Sequence, residues 1–215
     1  MKLYHYSKIE SWEGIKKGSW KSDDIPGLGA SQRLCLYDQE GRDVVAVFAH
    51  LEPLPPRWTQ NKNFEGIWEH FKTVIGHLLL EIEVDLEVDK IYVVDGGHIA
   101  SDLVNTIEGV PKKYLHKNRL EAEQYYMQTK ISLEDYLDKK DELNYSLPEV
   151  IIANSIPFER IKVSELQPLL KEDLENYQGE FREELIKQIK GIPGLANWYN
   201  KYFNESLATN EMKMR

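Results

Sequence analysis

Two short segments of the sequence combine residue types that could do chemistry. In the segment YHYS, at residues 4–7, His5 lies inside an aromatic strand candidate at the start of the chain. In the segment LPEVII, at residues 147–152, Glu149 directly precedes an apolar strand. A glutamate at a strand end can face a cleft, where its carboxylate would stabilise a developing cation or bind a ribose hydroxyl. Each residue also has an ordinary explanation, His5 as an edge histidine and Glu149 as an exposed turn residue.

The patterns of several common catalytic sites are missing from the sequence. The six histidines are scattered and form no H-E-x-x-H pair, and a single cysteine cannot build a Cys-rich zinc site. We therefore expect no metal. The G-x-S-x-G elbow, the P-loop and the G-x-G-x-x-G turn are absent too. Cys35 lies in the apolar segment RLCLY, which favours a core position over a nucleophile.

The composition is that of an acidic globular protein. The chain has 215 residues, a formal net charge of -9 and one cysteine. This length can bury a core without disulfides, and the cysteine count fits a reducing compartment. We find no apolar run long enough to span a membrane and no signal-peptide pattern, so we predict a cytoplasmic protein. The acidic balance argues against broad binding of nucleic acid, but it allows a local basic patch.

Hydrophobic periodicity predicts the elements that must position these residues. Strands are predicted at residues 2–6, 44–50, 78–84, 90–94, 150–153 and 160–163. Helices are predicted at residues 7–18, 64–75, 100–105, 118–129, 133–143, 164–190 and 195–203. Ser132 and Ser164 are the predicted N-terminal caps of two of these helices. Residues 25–42 are interpreted as a long loop. The pattern predicts one α+β domain, with a core at residues 1–163 and a C-terminal helical appendage at residues 164–215.

The order of these segments resembles the ADP-ribosyltransferase fold. The closest branch has a His-Tyr-Glu type triad and includes diphtheria-toxin-like and poly(ADP-ribose)-polymerase-like enzymes. The YHYS strand and its helix resemble the family's opening, and VAVFA at residues 45–49 resembles its second core strand. The strands at residues 79–84 and 90–95 resemble its next pair. The ending, PEVII followed by SIPFERI, is the most specific piece because it couples Glu149 to a strand and an I-P turn. The resemblance covers about residues 3–163.

The resemblance implies a fold, a substrate and a set of site residues. Two small packed β-sheets would form a cleft that binds NAD as a substrate. His5 would bind the adenosine-side ribose, Ser7 would hold the nicotinamide region, and Phe48 would stack on the nicotinamide ring. Tyr6 completes the motif that lines this pocket. Glu149 would bind the nicotinamide ribose and stabilise the oxocarbenium-like transition state as nicotinamide leaves.

The sequence departs from the family pattern at three places. Phe48 stands where a tyrosine is expected, so stacking is retained and a hydroxyl contact is lost, which Tyr37 or Tyr92 could supply instead. Leu147 precedes Glu149 by two residues, as in the diphtheria-like branch rather than in toxins that modify arginine. The long loop at residues 25–42 also differs from compact members.

One basic cluster could hold an acceptor. It consists of Lys112, Lys113, Lys117 and Arg119. A solvated loop is the simple explanation, and an anionic acceptor is the functional one. The predicted activity is NAD-dependent ADP-ribosyl transfer to a protein or a single-stranded nucleic acid. The alternative is a catalytically silent binding or inhibitor protein that uses the same cleft or its acidic surface. Phosphate transfer from RNA ends to NAD would need basic residues that the core motifs lack.

Overall fold

The computed structural model describes residues 1–17, 26–28, 31–37, 43–64, 66–100 and 110–204. For residues 31–37, 43–45 and 204 it describes the main chain alone. The side chains of Cys35 and Tyr37 and the helix predicted beyond Ala100 therefore lie outside the described residues.

The strands form small antiparallel sheets. The three-stranded sheet has the order β1 (Lys2–Ser7), β5 (Leu78–Glu83) and β10 (Ile161–Val163). The five-stranded sheet has the order β3 (Ser31–Tyr37), β4 (Asp43–Ala49), β8 (Pro148–Ile152), β6 (Ile91–Asp95) and β7 (Ile131–Ser132). A short pair joins β2 (Gly27–Leu28) to β9 (Ile156–Pro157). Together with the helices, these sheets confirm the α+β class.

Helices surround the sheets. Those in the first half of the chain are α1 (Trp12–Lys17), α2 (Pro56–Thr59), α3 (Ile67–Ile75) and α4 (Gly97–Ala100). Those in the second half are α5 (Arg119–Gln128), α6 (Leu133–Lys139), α7 (Pro168–Asn176), α8 (Gly179–Lys190) and α9 (Pro193–Tyr199), followed by a π turn (Asn200–Asn204). Short 3-10 turns lie at Ile9–Ser11, Lys62–Phe64, Lys112–Tyr114 and Phe158–Arg160.

The two larger sheets meet where β1 passes the end of β4. The main chains of Tyr4 and His50 exchange two hydrogen bonds, of 2.9 and 2.7 Å. This bridge brings the YHYS segment beside the VAVFA strand, although 43 residues separate His5 from Phe48.

The main core lies on one face of each sheet. Leucine, isoleucine and valine side chains from both sheets share it, and their alternation along each strand leaves the opposite faces for other contacts. Leu170 of α7, Leu195 and Trp198 of α9 belong to the same cluster. The opposite face of the five-stranded sheet packs on α5 through Val94, Ile151 and Tyr126, among others.

Two predictions from the sequence are wrong. The interpreted loop at residues 25–42 contains β2 and β3, and β3 pairs with β4. The predicted helix at residues 164–190 is two helices, α7 and α8. Ser164 does not cap it, because its hydroxyl donates to Glu81 (3.1 Å) and α7 begins only after Gln167, whose φ is 37°. By contrast, the cap at Ser132 is confirmed, since its hydroxyl accepts from the main-chain N–H of Asp135 (3.0 Å).

Gly76 connects α3 to β5 with φ 89° and ψ 176°, a conformation essentially limited to glycine. A Cβ added there would lie 2.5 Å from the main-chain oxygen of Ser7 and 2.6 Å from Lys8 Cα. We predict that Gly76→Ala lowers the free energy of unfolding by more than about 3 kcal/mol, as measured by urea denaturation. Gly179→Ala is the matched control, because Gly179 has φ 61° with nothing within 4 Å of an added Cβ. It should lose only about 1 kcal/mol, and equal losses would contradict the clash.

Candidate active site

Glu149 is a buried strand residue. It pairs with Val94 across β8 and β6 and is 1% exposed, so the interpretation of Glu149 as an exposed turn residue is wrong. The hydroxyl of Tyr126, on α5, donates to Glu149 Oε2 at 2.8 Å, and Tyr126 is fully buried. The Glu149 side chain keeps one orientation, because strand pairing fixes its main chain and the tyrosine hydroxyl fixes its carboxylate group.

Phe48 lies on the same face of the sheet as Glu149. It pairs with Ile151 across β4 and β8, and side chains two residues apart on a strand share a face. Phe48 and Glu149 are therefore diagonal neighbours, roughly 7–8 Å apart. Tyr92 pairs with Ile151 from the other side, so it also lies on this face. The Tyr92 ring is half-buried, and the amino group of Lys130 lies 4.8 Å from its centroid.

His5 is tied to β4 through its ring. Its Nδ1 lies 2.6 Å from the main-chain oxygen of Phe48, and because a carbonyl only accepts, Nδ1 carries the hydrogen and donates. Burial lowers the pKa of His5, while the bond to Phe48 acts in the opposite direction. The ring is therefore neutral at neutral pH, and its Nε2 is an acceptor.

The YHYS segment divides its side chains between two faces of β1. His5 and Ser7 share the face of Leu3, which belongs to the main core, and Ser7 is buried. Tyr6 lies on the other face, edge-on to Trp68 and Phe71 at 5.9 and 6.5 Å between centroids. The hydroxyl of Tyr6 donates to the main-chain oxygen of Pro53, and burial raises the pKa of Tyr6. The structure thus places Tyr6 in a packed aromatic cluster.

A buried carboxylate that sequence reasoning missed supports the start of β8. Asp95, at the end of β6, is 1% exposed. It accepts hydrogen bonds from the N–H groups of Gly97 (3.1 Å), Ser146 (3.1 Å) and Leu147 (3.0 Å), and from the hydroxyl of Tyr114 (2.7 Å). Burial and the bond to Asp95 both raise the pKa of Tyr114, which stays protonated as a donor. This network holds the segment that leads directly into the strand of Glu149.

A stacked group of histidines and a tyrosine lies at α4 and α5. Nδ1 of His98 is 3.0 Å from Nε2 of His116, and both rings are nearly parallel to Tyr125, at 19° and 21°. Burial lowers the pKa of His98 to about 4, and the nearby His116 and Lys113 also lower it, while Asp95 opposes the shift. His98 is therefore neutral at neutral pH.

The four basic residues of the predicted patch have different surroundings. Lys112 and Lys117 are exposed. Lys113 donates to the main-chain oxygen of Asn144 (2.7 Å). Arg119 forms an ion pair with Glu123 at 2.8 Å and is half-buried.

Three cavities are bounded by described residues. One of about 440 Å³ lies beside Arg160, and one of about 420 Å³ lies beside Trp68. The third, of about 370 Å³, includes Arg57, Tyr136 and Pro148. None of these three is lined by His5, Phe48 or Glu149.

No family model matches the chain, and no curated protein or solved structure is significantly similar to it. Within the part of the chain that the structure describes, no helix combines the length and apolar character needed to cross a membrane.

Replacing the carboxylate of Asp95 should destabilise the fold. In Asp95→Asn an amide NH₂ takes the place of one acceptor oxygen and faces buried donors. We predict a loss of about 3 kcal/mol in the free energy of unfolding. Asp135→Asn is the control, because the Asp135 side chain is 57% exposed and pairs with Lys139 at 3.3 Å. It should lose much less, because exposed ion pairs contribute little to stability, and a similar loss in both variants would refute the role of Asp95.

His98 should make stability depend on pH below neutrality. Its folded pKa of about 4 lies below the usual value of 6.5, so between these values the unfolded chain takes up a proton that the folded chain excludes. This contribution is complete above pH 6.5 and is lost as the pH falls towards 4. Urea denaturation at neutral pH and at about pH 4.5 should show a smaller decrease for His98→Gln than for wild type. A decrease of wild-type size in His98→Gln would count against this assignment.

Proposed function

We propose that the protein is an NAD-dependent ADP-ribosyltransferase in which Glu149 stabilises the oxocarbenium-like transition state. The observation that carries this proposal is the fixed position of Glu149. Its carboxylate is held by Tyr126 at 2.8 Å, diagonally across from Phe48, whose main-chain oxygen in turn holds His5. Main-chain pairing thereby relates a glutamate, an aromatic ring and a histidine from three separate segments of the chain. The side chains of Phe48 and Glu149 lie on the α5 face of their sheet, and that of His5 lies on the main-core face of β1.

The chemistry suits a carboxylate in this environment. As the glycosidic C1′–N bond breaks, nicotinamide leaves with the bonding electron pair and the ribose acquires positive charge. A preoriented carboxylate stabilises that charge more in the transition state than in the ground state, and the effect is larger where water is excluded. The acceptor nucleophile then bonds to C1′ and loses one proton to solvent. Atoms and charge balance without a metal or a redox partner.

The other residues would bind NAD rather than react with it. His5 has Nδ1 committed to Phe48, so its Nε2 is the atom that would accept a ribose hydroxyl. Phe48, half-buried, would stack on the nicotinamide ring, and Ser7 would contact the nicotinamide region. Tyr6 would support this pocket from the aromatic cluster behind β1.

Access to Glu149 is a requirement of the proposal. Glu149 is 1% exposed, and its carboxylate accepts a hydrogen bond from the Tyr126 hydroxyl. NAD binding must therefore expose the carboxylate and replace or share the tyrosine hydrogen bond. A conformational step that precedes chemistry is common among enzymes that exclude water from a reactive site.

The acceptor in this proposal is a macromolecule, a protein or a single-stranded nucleic acid, held near Lys112, Lys113, Lys117 and Arg119. The cytoplasm is the proposed location, because the single cysteine fits a reducing compartment.

The burial of Glu149 favours one alternative, a binding or inhibitor protein without catalysis. In that case the Glu149–Tyr126 bond would be a structural contact that anchors α5 to the sheet. The two functions differ in a single property, which is the ability to bind and cleave NAD.

Glu149→Gln should abolish NAD cleavage without unfolding the protein. The amide keeps the size of the side chain and can accept the Tyr126 hydrogen bond, but it lacks the negative charge. We predict a decrease of at least about 100-fold in nicotinamide release, measured by chromatography of the reaction with NAD.

Near-ultraviolet circular dichroism of Glu149→Gln checks that the core is intact. Glu142→Gln is the control for the loss of one carboxylate, since Glu142 is exposed on the loop before β8. It should retain wild-type activity. A wild-type protein that neither binds nor cleaves NAD would exclude the enzyme and favour the binding protein.

A further inference from the structure

Tyr125 presents one covered and one open ring face. The centroids of His98 and His116 lie 5.7 and 4.9 Å from that of Tyr125, and the two imidazole centroids are only 5.2 Å apart. Two rings so close together must lie on the same side of the tyrosine. Tyr125 is nevertheless 44% exposed. Its exposed area therefore belongs to the edge and to the face that the histidines leave open.

This ring is held rigidly. His98 is 7% exposed and packs edge-on against Tyr114 at 4.9 Å, and Tyr114 is bonded to Asp95. His98 and Tyr114 thus connect the stacked rings of Tyr125, His98 and His116 to the buried Asp95 network that supports β8. A rigid aromatic ring on a solvent-facing helix loses little conformational entropy when a second ring stacks on it.

Exposed positive charge lies in the segment that contacts Tyr125 through His116. Lys112 and Lys117 are exposed in the segment that also supplies His116. Among the described acidic residues of this segment and of α5, Glu121 accepts from the main-chain N–H of Lys117 (2.6 Å) and Glu123 pairs with Arg119. Lys112 and Lys117 are thus exposed charges that can meet an anion.

This surface and the candidate active site use consecutive residues of α5. Tyr125 lies on the outer side of α5, and the next residue, Tyr126, holds Glu149 on the inner side. A molecule bound to the open face of Tyr125 would lie across a single helix from that carboxylate.

We propose that Tyr125, Lys112 and Lys117 form a binding surface for single-stranded nucleic acid. An open aromatic face accepts any base, and neighbouring lysines hold the phosphates, which is the usual combination in proteins that bind single strands. A duplex keeps its bases stacked on each other and offers none to the ring. The role of the bound strand as the ADP-ribose acceptor rests on the proposed function, whereas its binding does not.

Fluorescence anisotropy tests the binding in the absence of NAD. Labelled single strands of DNA and of RNA, each of about 12 nucleotides, are titrated with the full chain at about 50 and 200 mM salt. We expect binding of at least one strand that weakens as salt rises, and little binding of the matching duplex. The DNA and RNA arms identify the sugar that the surface prefers.

Variants assign the binding to this surface. Tyr125→Ala should weaken it about 10-fold, and Tyr125→Phe should restore it, because stacking needs the ring and not the hydroxyl. The double variant Lys112→Gln, Lys117→Gln should reduce the slope of log affinity against log salt by about 1.4. Lys187→Gln, whose side chain is 79% exposed on α8, should bind like wild type.

Three results would overturn the proposal: no binding of either strand at low salt, equal affinity of wild type and Tyr125→Ala, or a surface that binds protein alone. Nicotinamide release is measured without nucleic acid, so a failure of the NAD activity and a failure of strand binding are separate results.

Discussion

The hydrogen bonds to the Asp95 carboxylate are the contacts on which the candidate site depends. Buried charge is stable only when donors surround it, and here three main-chain N–H groups and the Tyr114 hydroxyl do so. These donors come from the turn after β6, from the segment before β8 and from the 3-10 turn at Lys112–Tyr114. One side chain thereby fixes the approach to Glu149 and the base of the ring stack that ends at Tyr125.

The junction of the two sheets is likewise fixed by a small number of main-chain contacts. The Tyr4–His50 bridge brings β1 against the end of β4, and the bond from His5 to the Phe48 oxygen lies next to it. Main-chain pairing within the five-stranded sheet then fixes β8 relative to β4. The placement of His5, Phe48 and Glu149 thus follows from antiparallel register rather than from contacts among their side chains.

The sequence was sufficient for most strands, because short apolar runs such as those of β5 and β8 are too short for a helix and are typical of buried strands. It was insufficient for β3, which follows a segment rich in glycine and proline and was interpreted as part of a loop, although it pairs with the next strand, β4. It was also insufficient for the break between α7 and α8, where local capping chemistry suggested a single helix. For the site, Glu149 could be singled out by its place before an apolar run. Tyr126 and Asp95 could not, because a helical pattern does not reveal which face covers which strand, and an aspartate before two glycines looks like any turn residue.

The neighbouring tyrosines of α5 restrict how this chain can vary. The helix begins at a defined residue, since the side chain of Asn118 accepts from the N–H of Glu121 (3.0 Å). One residue inserted or deleted between this cap and Tyr125 would rotate all that follows by about 100°. Tyr126 would leave Glu149 and Tyr125 would leave the histidines in the same event. The first turns of α5 therefore cannot change in length without the loss of both surfaces.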